Sequence, residues 1–196
     1  KITQLTNGVA DSIVYRYVNL SAPASGFFFF RASSGGDEGI DPKKPMYFSM
    51  NGYWTKRSGY ASLNPGGTLK QLIYEDMKIS RLAKADSTNT FLFTREDFDR
   101  SPNIFIADEN LKGDKQVSKI NEFQKNYSWG RSELINYSRD KTGEHLQGVL
   151  LYPAGYDASK KYPMIVYMYE KLSNQVHNYV VPSQLSPYNT TAWTQN

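Results

Sequence analysis

The chain has 196 residues, 39% of them hydrophobic, with 14 Gly and 9 Pro. That is the composition of a globular protein with a core to bury, not of a disordered or fibrous chain. The net charge of +4 comes from 23 Lys and Arg scattered among 19 acids with no basic cluster, which argues against nucleic acid as a partner, and the lack of cysteine excludes disulfides, thiolate metal sites and a cysteine nucleophile.

Aromatic residues are abundant, with 15 Tyr and 10 Phe, and rings pack well on pleated surfaces, so β-rich structure is expected. The run Phe27 to Phe30 is far short of the roughly 20 apolar residues that a membrane helix needs, and no membrane span is expected. The chain opens at Lys1 without an initiator Met and without a charged-then-apolar leader, which reads as a processed or internal segment of an exported protein.

Residues 1–6 alternate around Ile2 and end at the turn signal Asn7-Gly8, as the last strand of something begun earlier. Strand candidates follow at 13–20 (IVYRYVNL), 26–32 (GFFFFRA), 45–53 (PMYFSMNGY) and 69–74. The pattern then tightens, with 77–82, 90–94 (TFLFT), 103–108 (NIFIAD) and 115–120 separated by short turns. Eight short strands in about 110 residues, with no 3.6-residue period between them, indicate a sandwich, barrel or propeller rather than βαβ units. A four-stranded propeller blade takes about 40 to 50 residues, so the interval holds about two blades.

Residues 120–129 form a polar connector ending at Trp129-Gly130, and a domain boundary is expected there, dividing the chain into 1–128 and 129–196. Strands 133–138 and 145–152 flank Arg139 to Glu144, a hairpin turn in which Gly143 is free to take the left-handed conformation. Pro163 then launches the apolar run 164–169 (MIVYMY), which stops at Glu170-Lys171. A short continuous apolar run rich in β-branched and aromatic residues predicts a strand buried on both faces. Residues 172–196 are polar and carry no stop signal, which reads as a chain cut inside its second domain.

The order of short strands, then Tyr127-Ser128-Trp129-Gly130, then LQGVLLYPAGYDASKKYPMIVYMYEKLSNQ resembles the prolyl oligopeptidase family of serine peptidases, which includes dipeptidyl peptidases. The resemblance implies a mainly β chain: the C-terminal blades of a β-propeller followed by the first strands of an α/β-hydrolase domain. It implies an acyl-transfer site acting on an oligopeptide substrate, in which Ser attacks, His moves the proton, Asp orients the His and donors hold the oxyanion. A Tyr hydroxyl at the strand end after the KYP loop serves as one such donor in that family, and the matching position is Tyr169. The alternative for Tyr169 is an aromatic residue that packs under a loop. Glu170-Lys171-Leu172 departs from the glycine-containing continuation usual in relatives.

The remaining machinery is expected outside this chain. There is no G-x-S-x-G elbow, and Gly130-Arg131-Ser132-Glu133-Leu134 lacks the second glycine and opens a strand. His145 reads as a hairpin-surface residue, and His177 as a residue of the loop after Tyr169. Glu96, Asp97 and Asp99 beside Arg95 and Arg100 read as surface ion pairs. The Gly-rich stretch 33–39 lacks the Lys-Ser/Thr of a phosphate loop, and Asp108-Glu109-Asn110 lacks calcium-loop spacing, so neither cofactor nor metal is expected. No Glu-Glu pair is present to hold a substrate amine. The rival reading is a non-catalytic protein- or glycan-binding module that uses the aromatic loop 52–60 (GYWTKRSGY).

Overall fold

A computed structural model describes residues 4, 6–20, 40–183 and 185–195. The strands expected at 1–6 and 26–32 and the Gly-rich stretch 33–39 fall wholly or mostly outside these residues.

The described chain is mainly β, and its sheets are antiparallel where register is defined. After a single helical turn, α1 (Gly8–Asp11), four strands run in sequence order: β1 (Ile13–Val18), β2 (Met46–Gly52), β3 (Ser58–Leu63) and β4 (Leu69–Glu75). A second sheet follows in the same up-and-down order, with β5 (Lys78–Lys84), β6 (Phe91–Asp97), β7 (Arg100–Ala107) and the two-residue β8 (Lys115–Gln116). Neither sheet closes on itself among the described residues. A separate two-stranded sheet pairs β9 (Arg131–Ser138) with β10 (His145–Tyr152), and the final element is the short helix α2 (Thr190–Gln195).

The chain divides into two compact units. The first comprises residues 1–94 and 104–117. Its core draws on both four-stranded sheets, joining Tyr60, Leu72 and Ile73 of one to Ile79, Leu82, Phe91 and Phe93 of the other, with Phe91 and Phe93 fully buried. Tyr60 is buried with its hydroxyl accepting from the Leu82 amide at 3.1 Å, so burying that ring leaves its polar end satisfied. The second unit comprises 95–103, the β6–β7 hairpin end, and 118–196. It contains β9, β10, two 3-10 turns (Glu122–Asn126 and Leu172–Gln175) and α2.

Most expected strands form, with bounds shifted by a few residues. One strand, β3, is not predicted by the sequence pattern, and its first three residues fall in the loop expected at 52–60. Its sequence SGYASL is small and partly polar, yet every residue in it is buried because it lies between β2 and β4. A side chain at Gly59 would overlap the Ile73 carbonyl, so this position admits only a residue without Cβ. The strand expected at 115–120 is reduced to two residues.

The apolar run 164–169 is not the buried strand that its composition predicts. It carries no strand assignment, and Met164, Ile165, Val166, Met168 and Tyr169 are 65–85% exposed. A strand is defined by a hydrogen-bonded neighbour, and none of the three sheets takes up this run. The turn Arg139 to Glu144 forms as expected, with Gly143 at φ 65 and the Arg139 amide donating to the Glu144 carbonyl at 3.0 Å.

Candidate functional site

Tyr169 ends the exposed run. The residue is 66% exposed, and Glu170 directly after it takes a left-handed φ of 47, which turns the backbone away from the line of the run. The 3-10 turn Leu172–Gln175 follows at once. Two residues earlier, Tyr167 stacks on Tyr188 with centroids 5.4 Å apart and planes at 28°. The phenol of Tyr169 is thereby presented to solvent at a backbone turn.

A more enclosed constellation lies in the same unit, where segment 176–179 meets the β6–β7 hairpin end. His177 Nδ1 stands 3.0 Å from Asp97 Oδ1, with the side chains 13% and 18% exposed. Asp97 also accepts from the Phe98 amide at 2.9 Å, and Arg100 Nη2 lies 3.4 Å from its other oxygen. Burial pushes the Asp97 carboxyl up, but the hydrogen bonds from His177 and the Phe98 amide and the charges of His177 and Arg100 outweigh it. The carboxyl therefore titrates below its ordinary value. The neighbouring Tyr179 amide donates to Glu96 Oε1 at 3.4 Å, and the Tyr179 hydroxyl accepts from Asn121 Nδ2 at 3.2 Å. The Tyr179 ring stacks on Trp129, whose indole N–H donates to the Phe98 carbonyl at 3.0 Å.

A carboxylate that orients an imidazole is half of a nucleophile-activating triad. Here the half is enclosed, because Nε2, the atom that would exchange a proton with a nucleophile, is buried. The pair joins segment 176–179 to the β6–β7 hairpin end. Sequence reasoning placed Asp97 among surface ion pairs and His177 in a loop. It had no local signal for their contact, since 80 positions separate them.

Other predicted residues are dispersed. His145 is exposed on β10, its Nε2 3.2 Å from Asn136 Oδ1. Ser132, in the stretch that begins like a nucleophile elbow, opens β9 and donates its hydroxyl proton to the Val176 carbonyl at 2.7 Å. On the β9–β10 sheet, Arg131 lies over the Tyr152 ring at 3.6 Å, and Glu133 accepts from Arg131 Nη1 at 3.0 Å and from the Tyr152 hydroxyl at 2.8 Å. The hydrogen bond from Tyr152, with that from Arg131, lowers the Glu133 carboxyl below its usual value. In the first unit, Tyr53 and Trp54 meet edge to face at 4.8 Å with Lys56 over the Tyr53 ring, and both rings are about 40% exposed. A cavity of about 550 Å³ in that unit is bordered by Gln4, Thr6, Asn7, Tyr15, Met50 and Gln71, and contains none of the predicted site residues. Asp108 Oδ1 accepts from the Asn110 and Lys112 amides, as a turn residue does.

No family model matches the chain, and no curated protein matches it. Among solved structures, a variant of the AtxE2 isopeptidase with Astexin3-dC4 bound is similar at a TM-score of 0.48 and 11% identity over 64% of this chain. The apo AtxE2 isopeptidase is similar at a TM-score of 0.47 and 12% identity, again over 64% of this chain. The chain spans about a fifth of the length of these two (19% of each). The placement in the prolyl oligopeptidase family is not sustained, because neither a family model nor a curated protein of that family matches the chain. Within the stretch that carries the resemblance, the apolar run 164–169 joins none of the three sheets.

Proposed function

We propose that this chain is a portion of a serine hydrolase acting on peptides, in which the Tyr169 hydroxyl helps to hold the oxyanion and the nucleophile is supplied by further polypeptide. The observation that carries the reading is the exposed Tyr169 phenol at the turn made by Glu170, a neutral hydrogen-bond donor set at the end of an apolar run. In acyl transfer by a Ser-His-Asp site, a serine oxygen attacks the carbonyl carbon, histidine takes the serine proton and later gives it to the leaving group, and aspartate orients the histidine. A donor beside the carbonyl oxygen then stabilises charge that exists only after attack.

Two consecutive four-stranded sheets in up-and-down order support the companion reading that residues 1–128 are propeller blades. On the same reading, residues 129–196 open an α/β-hydrolase domain. The test is Tyr169→Phe in a polypeptide carrying the nucleophile. Loss of one oxyanion donor lowers kcat by about 10²-fold or more with KM little changed. An unchanged kcat removes the assigned role.

A second reading rests on the exposed Tyr53–Trp54 pair with Lys56: a binding module that stacks a sugar or peptide on these rings. It predicts that Trp54→Ala abolishes retention on a glycan or peptide array, whereas the hydrolase reading predicts no change there.

A further inference from the structure

We propose that Asp97 and His177 form a clamp that positions segment 170–179, the stretch following Tyr169, and that acid releases it. Its consequence for catalysis rests on the reading of Tyr169 given above, but the clamp itself does not.

Four contacts tie the far end of this segment to one place. They are the His177–Asp97 bond, the Tyr179 amide on Glu96, the Tyr179 hydroxyl on Asn121 and the Tyr179 ring on Trp129. The near end begins at Glu170, whose left-handed backbone sets the direction in which the segment leaves Tyr169. A ten-residue loop fixed at both ends has few conformations left, so holding His177 restrains the backbone that carries the phenol.

The groups facing Asp97 decide its response to pH. His177 and Arg100 bring positive or donor character, the Phe98 amide adds a fixed donor, Glu96 is engaged with the Tyr179 amide, and Asp99 is paired with Arg100 at 3.5 Å. His177 Nδ1–H is a donor whether the ring is neutral in that tautomer or protonated, so the bond survives either state of the imidazole. Protonating Asp97 weakens the acceptor and removes its charge, and the clamp then loosens.

The test uses amide exchange and the Trp129 indole N–H signal by NMR on the 196-residue chain, with no turnover measured. A hydrogen bond to a charged group is strong enough that losing it raises exchange of the Tyr179 amide by about ten- to a hundredfold, which is the result expected for His177→Leu at pH 7. His177→Asn places an amide N–H near the position of Nδ1 and keeps exchange within about threefold of wild type. In wild type the Trp129 signal shifts as pH falls through the Asp97 titration, and Asp97→Asn removes that shift.

Unchanged Tyr179 exchange in a folded His177→Leu chain overturns the clamp, as does a Trp129 signal that does not respond to acid. If His177→Leu loosens every amide of the unit, His177→Asn decides: wild-type protection sustains the clamp, and loss equal to that of Leu overturns it. A clamp that passes while Tyr169→Phe leaves kcat unchanged overturns the catalytic reading alone.

Discussion

The indole of Trp129 lies flat against the ring of Tyr179, with centroids 5.7 Å apart and planes within 7° of parallel. Fifty residues of sequence separate them, and each ring also spends its polar atom on a third segment: Trp129 on the Phe98 carbonyl, Tyr179 on Asn121. This pair secures the arrangement in which Asp97 meets His177.

Breaking the stack destabilises the second unit. Tyr179→Leu is expected to lose about 1–3 kcal/mol in urea unfolding followed by far-UV circular dichroism. Tyr179→Phe, which keeps the ring and removes the Asn121 bond, should lose about 1 kcal/mol. A double-mutant cycle with Trp129→Leu is expected to assign about 0.5–1.5 kcal/mol to the ring pair. A coupling near zero would show that the rings are neighbours without mutual stabilisation.

Asp97 gives this unit a defined acid sensitivity. Its folded-state carboxyl titrates below its unfolded value, so the stabilisation is fully present above the ordinary carboxylate range and is lost as pH falls through the folded value. Urea midpoints for wild type should therefore drop on acidification more steeply than those of Asp97→Asn, with the curves converging at the acid end. Parallel curves would mean that Asp97 titrates alike in both states.

Gly59 tests the packing of the first unit. A Cβ there meets the Ile73 backbone, which has no free rotamer with which to yield. Gly59→Ala is expected to cost about 3 kcal/mol by thermal or urea unfolding. Gly66→Ala, at φ 69 in open space, should cost about 1 kcal/mol from backbone strain alone. Equal costs would contradict the overlap.

Local pattern made the strands legible. Phe91, Phe93 and the alternation around them mark β6, and the turn signal at Gly143 marks the β9–β10 hairpin, because both depend on neighbours in sequence. β3 was illegible for the opposite reason: Ser58, Gly59 and Ser62 look like loop residues, and their burial comes from β2 and β4 on either side. The run 164–169 has the composition of a buried strand, but composition specifies a preference for burial and cannot supply the neighbour that a ladder needs. The local pairing of Asp97 and Asp99 with Arg100 is legible in the sequence, but the contact of Asp97 with His177 is not, since residues 80 positions apart leave no periodic trace. The family resemblance rested on residues 127–130 and 146–175, of which only the β10 part is paired in a sheet, and no family model or curated protein supports it.

The proposal that a serine nucleophile lies outside this chain is tested most directly by a fluorophosphonate probe. It would be applied in parallel to the 196-residue chain and to a longer polypeptide that includes a G-x-S-x-G elbow. The account predicts covalent labelling of the longer polypeptide and none of the 196-residue chain. Labelling of the chain itself, abolished by Ser132→Ala, would contradict it.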